Sequence, residues 1–127
     1  MLALTYGEGG VWVARTSARL AQPIDVLRLD PASGHVTGPI LRVTGRVGMA
    51  LAAGAGEIWA TDAGNFLSPD PRRAPALLRI DPSRQALAGA PARVGSGPAG
   101  VAVGDGAVWV TSADTNRVDR IVPPAGR

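Results

Sequence analysis

Gly104-Asp105-Gly106-Ala107-Val108-Trp109-Val110-Thr111 decides how this chain is read, because the same pattern occurs three times. The other two copies are Gly7-Glu8-Gly9-Gly10-Val11-Trp12-Val13-Ala14 and Gly54-Ala55-Gly56-Glu57-Ile58-Trp59-Ala60-Thr61. Trp12, Trp59 and Trp109 are spaced by 47 and 50 residues. A period of that length marks a repeat architecture, each repeat being one supersecondary unit. The paired glycines Gly7 and Gly9, Gly54 and Gly56, Gly104 and Gly106 permit positive φ and a tight reversal between two strands.

More of the repeat lines up around each Trp. Upstream lie Ala3-Leu4, Ala50-Leu51 and Gly100-Val101, at equal distances from their Trp. Downstream lie Val26-Leu27-Arg28-Leu29-Asp30-Pro31, Leu77-Leu78-Arg79-Ile80-Asp81-Pro82 and Val118-Asp119-Arg120-Ile121-Val122-Pro123. A fourth element runs from Val36 to Val43 and again from Leu87 to Val94, each copy ending Arg-Val. Each unit thus reads as four short strands, A to D. Strand A is small and apolar. Strand B carries the Trp, a large surface to pack between neighbouring sheets. Strand C alternates, which puts Arg28, Arg79 and Arg120 on one face. The Pro after strand C stops the ladder, and Gly38-Pro39 and Pro91 suit strand D as an outer edge. The units run roughly 1–45, 46–96 and 97–127, the third stopping at the turn before its strand D, so eleven strands are expected. Helical periodicity is absent. The expected fold is all-β: three four-stranded antiparallel units in one segment, the last incomplete.

These motifs resemble the YVTN-type and NHL-like repeat β-propellers and the related virginiamycin B lyase-like branch. The match covers nearly the whole chain and is best from Gly97-Pro98-Ala99-Gly100 through Thr111, followed by Arg117-Val118-Asp119-Arg120-Ile121. It implies a partial propeller of three blades, secreted or envelope-associated locations being compatible with it. Fold alone does not name a function, since propellers host sensors, binding platforms and enzymes. The lyase branch implies a His after the Pro that precedes strand A, among His and carboxylates around a metal. The corresponding positions here are Leu2, Met49 and Ala99, none of which offers an imidazole.

Composition removes several function classes. The chain has 127 residues and no Cys, so no disulfide framework or thiolate metal site is available. All 13 basic residues are Arg, which fits anion binding and fits a GC-rich coding bias better. A net charge of +3 with scattered Arg and structurally repeated Trp argues against nucleic acid. No apolar stretch approaches the roughly 20 residues of a membrane span. No export signal is read at residues 1–10. The compartment is not legible.

In a propeller the B–C and D–A connections share one face, where ligands are usually taken. The distance from the Trp to the aligned Arg of strand C is 16, 20 and 11 residues in the three units, so the first two B–C loops are enlarged. The weak binding candidates are Arg15 and Arg19 in the first loop, Asp62, Asn65, Arg72 and Arg73 in the second, and Asp114 and Asn116 in the third. Asp30-Pro31 and Asp81-Pro82 read as turn caps. His35, the single His, falls in a C–D turn on the other face. No serine sits in a nucleophile elbow, and no His or carboxylate cluster forms a metal site. No catalytic residue, cofactor or metal is therefore expected.

Three units leave two uncovered sheet faces and an open edge. A second copy of the chain, or further blades of a longer one, would cover them. Three readings follow, in this order: a binding or sensor module for a protein or small ligand, a degenerate lyase- or lactonase-like enzyme, and a purely structural interaction domain.

Overall fold

The computed structural model describes residues 2–15, 24–43, 50–62 and 75–123. Among them there is no helix. The first sheet is β1 (Leu2–Gly7), β2 (Gly10–Arg15), β3 (Ile24–Leu29) and β4 (Val36–Val43), paired in that order. The second is β5 (Leu51–Gly54), β6 (Glu57–Asp62) and β7 (Ala76–Asp81), with β8 (Ala86–Leu87) and β9 (Ala92–Arg93) both on β7. The third is β10 (Pro98–Gly104), β11 (Ala107–Ser112) and β12 (Arg117–Ile121). Every pairing is antiparallel.

Twelve strands appear among the described residues where eleven were expected. The outer strand of the second sheet, read as continuous from Leu87 to Val94, is broken into β8 and β9. Gly89 sits at φ 64°, and Pro91 lacks a donor for the ladder. The aligned Gly38, at φ 73°, marks a register shift in the β3–β4 pairing, but β4 continues across it.

The Gly-x-Gly repeat forms the β1–β2, β5–β6 and β10–β11 turns. Glu8 and Gly9 have φ of 49° and 88°, Ala55 and Gly56 54° and 79°, Asp105 and Gly106 53° and 77°. Two consecutive positive φ values fit a two-residue hairpin turn whose twist matches the strands. Each Trp locks its turn. The indole Nε1 of Trp12 donates to the Gly7 carbonyl at 3.1 Å, Trp59 to Gly54 at 3.0 Å and Trp109 to Gly104 at 3.2 Å.

Trp12, Trp59 and Trp109 stand directly opposite Arg28, Arg79 and Arg120 on the neighbouring strand. Each guanidinium lies over its indole, 5.9, 5.9 and 5.7 Å from the ring centroid. The arginines diverge in their second partner. Arg28 donates to the Gly9 carbonyl at 2.7 Å, whereas Arg79 makes a two-pronged bond to Glu57 at 2.7 and 2.8 Å.

Two apolar joints hold the sheets together. In the first, Trp12, Ala14, Ile24, Val26 and Val43 pack on Leu51, Ile58, Ala60, Leu78 and Ile80. In the second, Trp59 and Leu77 pack on Val108 and Val110, with Val101, Val103 and Ile121 at the margin. The backbones approach closely at the first strands: β5 lies against β1 on one side and β10 on the other. Gly7 and Gly54 permit this approach. A Cβ on Gly7 would come within 2.9 Å of the Ala53 Cβ, and one on Gly54 within 2.9 Å of the Val103 Cβ. At the outer side, Gln85 Nε2 donates to the carbonyls of Thr37 and Pro39 at 3.3 and 3.1 Å, tying the second sheet to β4.

Candidate functional site

Antiparallel order sends the β2–β3, β6–β7, β11–β12, β4–β5 and β9–β10 connections to one edge of the three sheets. The Gly-x-Gly turns and the β3–β4 and β7–β8 turns lie at the other. The two edges expose different groups. Among the described residues, the strand ends and connections at the first edge hold Arg15, Arg42, Arg93 and Arg117. The carboxylates described there are Asp25, Asp62, Asp114 and Asp119. Toward the opposite edge lie Glu8, Asp30, Glu57, Asp81 and Asp105, with Arg84 at a turn, Arg28 on the Gly9 carbonyl and Arg79 on Glu57. What distinguishes the first edge is which groups face solvent. Arg15, Arg42 and Arg117 are 55%, 62% and 57% exposed over Asp25 and Asp119 at 13% and 15%. This makes it the basic edge, and the other, where carboxylates form the turns, the acidic one.

The described part of the basic edge is organised by Arg–Asp pairing. Asp25 receives Arg15 Nη2 at 3.2 Å and Arg42 Nε and Nη2 at 2.9 and 3.3 Å. Both arginines remain more than half exposed, at 55% and 62%, so each keeps donors open to a further acceptor. Arg117 bonds Asp119 at 2.6 and 3.0 Å, and Asp119 also accepts the Gly95 amide at 3.0 Å. The Ser96 hydroxyl donates to Asp114, and the Ala113 and Asp114 amides donate to the Gly97 and Ser96 carbonyls. These bonds clip the β9–β10 connection onto the β11–β12 turn. Asn116, at φ 51°, takes the left-handed position of that turn and lines an open depression of about 280 Å³ with Thr111, Ser112, Arg117 and Val118.

Of the sequence candidates, Arg15 and Asp62 end strands instead of lying in loops. Arg15 is exposed, but Asp62 is fully buried and presents nothing at the surface. Asp114 and Asn116 are exposed in one turn. Arg19, Asn65, Arg72 and Arg73 lie outside the described residues. Arg42, Arg117 and Asp119 were missed. Their signal was partnership across strands, which becomes legible only when the register is known. Asp30 and Asp81 cap their turns: Asp30 accepts the Ala32 amide and Ser33 hydroxyl, Asp81 the Ser83 amide and hydroxyl and Arg84. His35 lies at the acidic edge. Among the described residues, no group of three or more His, Cys, Asp or Glu is placed to hold a metal ion.

These contacts hold several carboxyls below their ordinary range. The Arg42 bond acts most on Asp25, with Arg15 adding to it against the cost of burial. Arg117 and the Gly95 amide do the same for Asp119, the Ala32 amide and Ser33 hydroxyl for Asp30. Asp81 falls furthest, through the Ser83 hydroxyl and Arg84. Each folded pKa lies below its unfolded value, so in acid the native state binds fewer protons than the unfolded state. Stability from these groups is complete above the unfolded carboxyl pKa of about 3.9 and is lost below it, through the folded pKa. Urea midpoints measured from neutral pH to about pH 3 should therefore stay level and then drop. Asp81→Asn should shallow that drop, and an unchanged slope would remove the capping account.

No protein-family model matches the chain, and no curated protein matches it.

Proposed function

We propose that this chain is a segment of a β-propeller of the YVTN or NHL-like kind that acts as a binding or scaffold module, its basic edge taking an acidic protein surface or small anionic ligand. The observation that carries the reading is the pair of exposed arginines, Arg15 and Arg42, held by Asp25 at the edge where the B–C and D–A connections emerge. The blade arrangement is supported by the repeated joint. Gly7 meets Ala53 as Gly54 meets Val103, and Trp12 and Trp59 fill equivalent places between sheets. A joint that repeats with the same register turns each sheet relative to the last by a similar amount, as a ring requires. Loops on such a rigid support suit recognition. Guanidinium groups held partly by Asp25 keep free donors in fixed directions, which favours carboxylate and phosphate.

The test is a thermal shift of the purified chain with citrate, inorganic phosphate and a polyglutamate peptide at low salt. At least one should raise the melting temperature. Arg15→Ala combined with Arg42→Ala should abolish the rise, and Arg84→Ala on the acidic edge should leave it. No rise with any probe, or equal loss in Arg84→Ala, would contradict the proposal.

A further inference from the structure

The outward face of the third sheet is built like the two faces that are covered. Trp109 is 37% exposed, whereas its counterparts Trp12 and Trp59 are each 1%. Val118 is 62% exposed, and the residues at its aligned position, Val26 and Leu77, are at 1% and 0%. The first sheet shows the reciprocal pattern. Leu4 and Tyr6 are 66% and 73% exposed. Their aligned residues, Leu51 with Ala53 and Val101 with Val103, all pack into the two joints.

Gly104 adds an independent observation. Gly7 and Gly54, its counterparts, are contact glycines that meet Ala53 and Val103 of the next sheet. Gly104 does not have positive φ, and a Cβ built on it meets nothing within 4 Å. Neither backbone conformation nor crowding within the described chain accounts for a glycine there. A neighbour placed as Ala53 and Val103 are placed would account for it. The aligned residue on the chain's own first sheet is Tyr6.

We propose that the Gly104–Trp109–Val118 face receives the Leu4–Tyr6 face of a second copy of this chain, head to tail. Two copies then close on each other through two identical joints related by a two-fold axis. This rests on the propeller reading above. The occupant is a second copy because the chain carries both halves of a joint it already uses twice. Head-to-tail closure also keeps the basic edges of both copies on one face of the ring.

The test is light scattering after size exclusion, across a dilution series, with circular dichroism of every variant. The wild-type chain should run at twice its 12.9 kDa. Gly104→Val occupies space that is empty in the single chain but filled in the joint. It should weaken the dimer by more than about tenfold without altering the monomer spectrum. Tyr6→Asp, at a side chain already exposed, is the second variant should Gly104→Val fold poorly. Mixing Tyr6→Asp with Val118→Asp gives the discriminating result. In the mixed dimer both defects fall in one joint and the other is wild type, so dimer mass should return where neither variant dimerises alone. A wild-type monomer at every concentration, a dimer surviving both Gly104→Val and Tyr6→Asp, or a mixture that stays monomeric overturns the pairing. A monomer that still gains stability from anionic probes sinks the pairing alone. A dimer indifferent to those probes supports the pairing and sinks only the acidic-ligand reading.

Discussion

Trp59→Ala should remove about 3–5 kcal/mol of folding stability, and Trp109→Ala much less in the monomer, although the two residues are equivalent in sequence. Trp59 is 1% exposed and sits among Leu77, Val108 and Val110. Truncating it leaves a cavity between two sheets that are already tied by close glycine contacts and cannot readily collapse. A domain of this size has about 5–15 kcal/mol to lose, so the variant stands near the limit of folding. Trp109 has the same hydrogen bond to its turn and the same stacked arginine. It lacks only the neighbouring sheet. The comparison therefore isolates the worth of the joint from the worth of the hairpin. Urea denaturation at concentrations where the chain is monomeric gives both values. Equal costs would mean that Trp stabilises its own hairpin and that the joints contribute little. A Trp109→Ala cost that grows with protein concentration in the wild-type comparison would instead report the dimer joint.

The strand pattern was legible because it rests on period two and on fixed spacing from Trp. The alignment of Arg28, Arg79 and Arg120 on one face followed directly, and their seat over Trp12, Trp59 and Trp109 is its consequence. Single-residue roles were less legible. Gly7 and Gly54 were read as turn glycines, but the positive φ values that make the turns belong to the two residues after each of them. Their own role includes contact with the next sheet, which no local pattern announces. Gln85 leaves no periodic trace either, because its partners Thr37 and Pro39 belong to another unit. At the candidate site, the exposure of Arg15, Asp114 and Asn116 was foreseeable and the partnerships among the side chains were not. Arg15 and Arg42 stand far apart in sequence and meet at Asp25 only when the strand register is known. Asp62 looked like a loop acid because the loop length was read from the alignment, and β6 runs one residue further than that alignment implied, burying it.

Glu57→Ala should cost about 3–5 kcal/mol, the range for removing one partner of a buried ion pair. The Glu57 side chain is 1% exposed and that of Arg79 is 17%, so water can do little for the guanidinium once its carboxylate is gone. The first sheet explains why the second needs this acid. There the aligned residue is Gly10, and Arg28 turns to the Gly9 carbonyl at the turn. In the second sheet the carboxylate holds Arg79 by both prongs, flat over Trp59, and raises its pKa further above an already high value. The pair thus fixes the ring that fills the second joint. Replacing both partners by apolar residues, Glu57→Leu with Arg79→Met, should recover most of the loss, because the desolvation cost leaves with the charges. Arg84→Ala is the exposed comparison. Its bond to Asp81 joins a side chain 64% exposed, and its loss should cost far less than that of Glu57. A double-mutant cycle on Glu57 and Arg79 decides the matter. A single Glu57→Ala no more costly than Arg84→Ala would mean that Arg79 is held by the indole and the strand alone, with the carboxylate merely filling the place of Gly10.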